Sequence, residues 1–147
     1  MPAGMLQVGR QVPKTIVIAG AHSNVGKTRL AGAICDLIEG AVHIKIGHGP
    51  RKEGLGNIYY PHGMPIEEIL AAHSGNEYLV IESGRAATTI DPDCLIFLPG
   101  DKLKPGAEEV LAKADIVRGV RRGQVAPELL ARRLGLSRET AGRIIEL

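Results

Sequence analysis

Residues 15–28 read TIVIAG-AHSNVGKT, and this stretch decides the fold. Thr15 to Gly20 is a short apolar, β-branched run, the pattern of a buried strand. Ala21 to Thr28 follows as a loop, and Lys27 to Glu39 carries apolar residues at Leu30, Ile34, Leu37 and Ile38. That spacing puts one apolar stripe on a helix, which Gly40 ends. The loop between strand and helix fits the phosphate-binding pattern GxxxxGK[ST] at every position but one, where Ala21 replaces the first glycine. A strand before the motif and a helix after it are what its chemistry requires. The backbone N–H groups of Ser23, Asn24, Val25, Gly26, Lys27 and Thr28 are expected to wrap a β-phosphate at the positive end of the helix, with Arg29 next in line. Gly26 lets the backbone approach without a Cβ. Lys27 brings a point charge to the β- and γ-phosphates, and Thr28 offers its hydroxyl to Mg²⁺.

Working outward, Ala41–Ile46 (AVHIKI), Glu77–Glu82 (EYLVIE), Asp93–Leu98 (DCLIFL) and Ala114–Val117 read as further strands. Helices are expected from Pro65 through IEEILAAHS and over Pro105–Lys113. Residues 47–64, rich in Gly, Pro, His and Lys, read as a long functional loop. Strands alternating with helices imply an α/β fold, a doubly wound parallel sheet with flanking helices. A tail over 1–14, a nucleotide-binding domain over 15–117 and a basic helical segment over 118–147 complete the expected organisation.

A phosphate loop needs a carboxylate near Mg²⁺ at the end of a neighbouring strand. Glu82, closing EYLVIE, is the first candidate, as metal ligand with Thr28 and as a catalytic group with Lys27. Asp91 and Asp93 are weaker candidates. Arg85 reads as a surface ion pair, with an arginine finger as the alternative. Of the five histidines, none has ligand spacing on a helix. His43 reads as a packed or edge residue of its strand. His48 and His62 flank the long loop and read as solvated, with a shared metal as the alternative.

Composition bounds the rest. The chain has 147 residues, 44 % apolar and 23 % charged, with a net charge of +2. It suits one domain and excludes a disordered chain or an overall basic nucleic-acid binder. Phe97 and three tyrosines are the only aromatics, so the core must be aliphatic. Cys35 and Cys94 read as buried free thiols. The opening MPAGMLQVGRQVPK lacks a long apolar stretch, and no run reaches spanning length, so a cytoplasmic protein without membrane contact is expected.

From Arg118 to Leu147, seven arginines face three glutamates. GQVAPELLARRLGLSRETAGRIIEL resembles a helix-turn-helix. Its first helix starts at Pro127, Gly135 ends it, and Ser137 caps the second. Leu130, Leu134, Leu136, Ile144 and Ile145 would form its small core. Arg138, Glu139, Thr140 and Arg143 would face outward toward DNA, and a dimer would present two copies. The alternative is a hairpin packed on the sheet or on another subunit.

With these residues placed, the chain resembles the MobB-like adaptors of molybdopterin-guanine dinucleotide biosynthesis. The resemblance lies in IVIAGAHSNVGKT, in HIKIGHG with Lys45 and His48, and in YLVIESG with Glu82. It implies a protein that binds GTP (or ATP) with Mg²⁺ and assists a maturation enzyme; the short core adds the expectation of slow hydrolysis or none. Nucleotide would order loop 47–64 against that partner. LVIESG and KPGAEEVLAKADIV are also similar to the urease- and hydrogenase-maturation GTPases, which implies nickel delivery as an alternative. A nucleotide-sensing DNA-binding regulator is the third reading. The chain departs from these families where RGVRRG replaces a guanine-reading Asn-Lys-x-Asp, where His22 replaces the signature lysine of partitioning ATPases, and where aspartates are missing after Lys45.

Overall fold

Parallel strands cannot be joined by tight turns, so the helices serve as the crossovers. The computed structural model describes residues 12–22, 25–48, 56–120 and 123–147. Among these residues the strands are β1 (Lys14–Gly20), β2 (Ala41–Gly47), β3 (Ile58–Pro61), β4 (Tyr78–Glu82), β5 (Cys94–Leu98) and β6 (Ile116–Val117). They form one six-stranded parallel sheet in the order β3-β2-β4-β1-β5-β6. The helices are α1 (Lys27–Leu37), α2 (Ile66–Ala72), α3 (Gly84–Thr89), α4 (Ala107–Lys113), α5 (Pro127–Leu134) and α6 (Arg138–Glu146). None is long and apolar enough to cross a membrane.

Strand alternation divides the core in two, because neighbouring side chains point to opposite faces. On one face Ile16, Ile18, Val80, Cys94, Ile96 and Leu98 pack under α1, α5 and α6. On the other Val17, Ala19, Ile44, Ile81, Leu95 and Phe97 pack under α2, α3 and α4. The expected α/β architecture with helices on both faces is therefore what forms. Both thiols are free; Cys94 is buried and Cys35 only half-buried. Burial, aided by Asp36, pushes the Cys35 thiol up to about 11, so it stays protonated at neutral pH.

Three local differences from the sequence expectation have simple causes. The long loop expected over 47–64 contains β3, an edge strand of four residues whose Tyr59 and Tyr60 are only half-buried. With Pro61 ending it, so short a run between glycines reads as a loop. Helix α3 was not expected, since GRAATT has no apolar stripe. It is held by Ser83, whose Oγ accepts from the Ala86 N–H at 3.0 Å, and by the buried Ala86 and Ala87. The strand expected over Ala114–Val117 shortens to Ile116–Val117. At the other end β1 begins at Lys14, inside the expected tail, whose first 11 residues lie outside the described set.

The C-terminal helices follow their sequence signals. Pro127 occupies the first turn of α5, Gly135 ends it with φ 66°, and Ser137 Oγ accepts from the Thr140 N–H at 3.1 Å. Leu130, Leu134, Ala141 and Ile144 then join the core that holds Ile16 and Ile18, while Leu136 and Ile145 are half-buried. The Tyr78 hydroxyl donates to the Leu134 carbonyl at 2.7 Å, tying the end of α5 to β4.

Candidate functional site

In an open parallel sheet, the carboxyl ends of the strands form the natural crevice for a ligand. Here β1 ends at Gly20, β2 at Gly47 and β4 at Glu82, and the start of α1 lies across them. Gly26, just before α1, has φ 100°, a conformation that costs a side-chain-bearing residue strain. Gly20 is needed for a different reason: a Cβ there would lie 2.5 Å from Val25 Cγ2. Ala21, in place of the usual glycine, has its methyl fully buried in the core. Its N–H donates to the Leu98 carbonyl at 2.9 Å, and its own carbonyl accepts from the Lys104 N–H at 2.8 Å. The loop thus leaves the sheet one residue later than the consensus suggests. Ser23 and Asn24 lie outside the described residues.

Thr28 and Glu82, 54 residues apart in sequence, meet. The Thr28 hydroxyl donates to Glu82 Oε1 at 2.7 Å and accepts from Lys45 Nζ at 3.4 Å. His43 bonds through Nε2 to the other oxygen, Glu82 Oε2. An ionised carboxylate only accepts, so His43 donates. Alternation explains the meeting. Tyr78 and Val80 face α1, so Glu82 does too, and His43 and Lys45 lie on the face of β2 opposite the buried Ile44 and Ile46. Register places Lys45 directly opposite Glu82. Glu82 is 2 % exposed. Burial pushes its carboxyl upward, but the hydrogen bonds from His43 and Thr28 and the charges of His43 and Lys45 outweigh that and hold it below the usual carboxylate range.

Lys27 lies beside this chain, its Nζ donating to the His22 carbonyl at 3.4 Å. Burial first, then the ammonium groups of Lys104 and Lys45, lower its pKa, with Glu82 opposing them. Together these residues line a cleft of about 1000 Å³, which also takes in Arg29, His48, His62, Arg85, Lys104 and Arg118. Among the described residues, six lysines and arginines face it against one carboxylate, Glu82. No carboxylate among the described residues pairs with any of the six. Arrangements of this kind attract polyanions. Thr28 and Glu82 supply two adjacent oxygens, and so fit a Mg²⁺ ion that completes its shell with phosphate oxygens and water.

Other expected residues lie elsewhere. Asp93 sits at the opposite end of the sheet, where its Oδ2 accepts from the Thr15 N–H at 2.8 Å, and Asp91 precedes it on the same connection. Both stand before β5 rather than after it, which removes them from the site. Among the described residues Arg85 makes no ion pair; its Nη2 donates to the Met64 carbonyl at 2.5 Å. His48 and His62 do meet, their rings stacked at 4.0 Å, but no group of three metal-binding side chains forms among the described residues. The sequence reads His43 as a packed or edge residue of its strand; the structure adds its bond to Glu82. The signal available was its place two residues before Lys45 on one strand face. Lys104 and Arg118 carried no sequence signal. Of the outward residues of the C-terminal pair, Arg138 pairs with Glu128 at 2.7 Å and Arg143 with Glu139 at 3.4 Å. Comparison with protein families, curated proteins and solved structures finds no match to this chain.

Proposed function

We propose that this chain binds a magnesium–nucleoside triphosphate at the start of α1. We propose further that it serves as a GTP-binding accessory protein in molybdopterin-guanine dinucleotide biosynthesis, the role its sequence resemblance implies. One observation carries the binding reading: Thr28, the first-turn hydroxyl of α1, lies 2.7 Å from the buried Glu82 at the end of the adjacent strand. Phosphate loops need that pairing of a helix-start hydroxyl with a strand-end carboxylate. The surplus of positive charge along the cleft supports it too.

In this reading Lys27 neutralises the β- and γ-phosphates, and the N–H groups at the start of α1 hold the β-phosphate. Thr28 and Glu82 hold the metal, which when bound spreads the phosphate charge. His43 fixes the direction of the Glu82 carboxylate. Any hydrolysis is in-line attack by water and slow, because no second carboxylate among the described residues of the cleft orients that water.

The test is calorimetric titration of wild type and Lys27→Ala with GTP and with ATP in Mg²⁺. Wild type is expected to bind GTP, and Lys27→Ala to weaken it about 10- to 100-fold, the worth of a hydrogen bond to a charged group. Binding of ATP in preference keeps the phosphate site and removes the guanine-specific role. Binding of neither nucleotide overturns the whole reading.

A further inference from the structure

We infer that the cleft holds a second anion beside the nucleotide phosphates: a small phosphate- or carboxylate-bearing molecule, seated between the end of β2 and the start of α3. Arg85, His62 and Lys45 are its contacts. The inference rests on the nucleotide reading for its charge balance and on side-chain geometry for its place.

Among the described residues that line the cleft, six lysines and arginines against Glu82 leave a formal charge of +5, histidines not counted. A magnesium-bound nucleoside triphosphate carries about two negative charges, so a positive excess persists after it binds. Excess charge in a cleft with low-dielectric walls raises the local concentration of small anions. Lys27, Arg29 and Thr28 belong to the start of α1, where the nucleotide phosphates sit. Arg85, His48 and His62 do not. They come from α3 and from the two ends of the connection between β2 and α2.

Arg85 lines the cleft with its guanidinium held in place. Its Nη2 is anchored on the Met64 carbonyl, which fixes the guanidinium, and its Nε is buried without a hydrogen-bond partner. A fixed guanidinium fork matches the oxygens of a phosphate or carboxylate. His48 and His62 stack beside it. Burial first, then repulsion from His48 and Arg85, lowers the pKa of His62. An anion between them would relieve that repulsion. None of the described residues lining the cleft contributes a carboxylate on this side.

Equilibrium dialysis against labelled inorganic phosphate tests this, with and without saturating Mg²⁺ and nucleoside diphosphate. Wild type is expected to bind two phosphates per chain, of which the nucleotide displaces one. Arg85→Gln and His62→Ala should each weaken the retained phosphate about tenfold. His62 is a surface side chain, so His62→Ala should fold normally and keep wild-type nucleotide affinity. Lys27→Ala should remove only the displaceable phosphate. If nucleotide displaces all bound phosphate, or the retained phosphate ignores both substitutions, the second site does not exist. If no phosphate is displaced but one remains sensitive to Arg85→Gln, the nucleotide reading fails and the second site stands.

Discussion

The cleft and the C-terminal helices are both rich in positive charge, yet they dispose of it in opposite ways. On α5 and α6 three of the four arginines are matched: Arg133 pairs with Asp115 at 2.9 Å, Arg138 with Glu128 and Arg143 with Glu139. In the cleft Lys27, Lys45, Lys104 and Arg118 line one open space, and the only carboxylate among its described residues is already bonded to Thr28 and His43. Exposed pairs of the first kind contribute little and leave little field behind. Unmatched cations cost stability in the free protein, and this cost is recovered only when an anion arrives. A count of arginines along the chain points to the C-terminal segment. The unbalanced charge lies in the cleft.

Three measurements would break or sharpen that contrast. The largest effect is expected from Leu130→Ala. Leu130 is fully buried among residues of β1, β5 and α1, so its truncation should cost about 2–5 kcal/mol and lower a single thermal transition of the whole chain. A separate, low-temperature transition confined to the C-terminal helices would show instead that they form an independent unit.

Next comes the acid dependence of Glu82. Its folded pKa lies below the 4.5 of a free carboxyl, so it adds stability that is fully present above pH 4.5 and is lost as pH falls through the folded value. The stability gap between wild type and Glu82→Gln, followed by thermal melts from neutral pH downward, should narrow below pH 4.5. A gap that stays constant would mean that Glu82 is not ionised in its bonds to Thr28 and His43.

The smallest effect is expected from Arg138→Ala, at about 0.2–1 kcal/mol in denaturant melts, since its pair with Glu128 is exposed on both sides. A larger loss would mean that the arginines of α5 and α6 carry more than a solvated ion pair, and the contrast with the cleft would weaken.

Much of the framework could be read from local pattern. TIVIAG and EYLVIE announce buried strands because β-branched runs suit a covered parallel sheet. Leu30 and Ile34 announce the buried stripe of α1, and Pro127, Gly135 and Ser137 bracket α5 and the start of α6. In each case the determining interaction lies within a few residues, so the chain states it directly. The motif at 20–28 and the strand-end position of Glu82 belong to the same class of signal.

Only the folded sheet could decide the rest. Asp93 and Glu82 look alike in sequence, but one precedes its strand and the other closes it, so they lie at opposite ends of the sheet. Strand order brings β2 beside β4, and this register turns His43 and Lys45 into neighbours of Glu82. Lys104 reaches the cleft because its N–H is tied to the Ala21 carbonyl, a contact between residues 83 positions apart. Local propensity fixes where elements begin and end. Which charges face one another depends on pairings between distant segments, and those exist only once the sheet has formed.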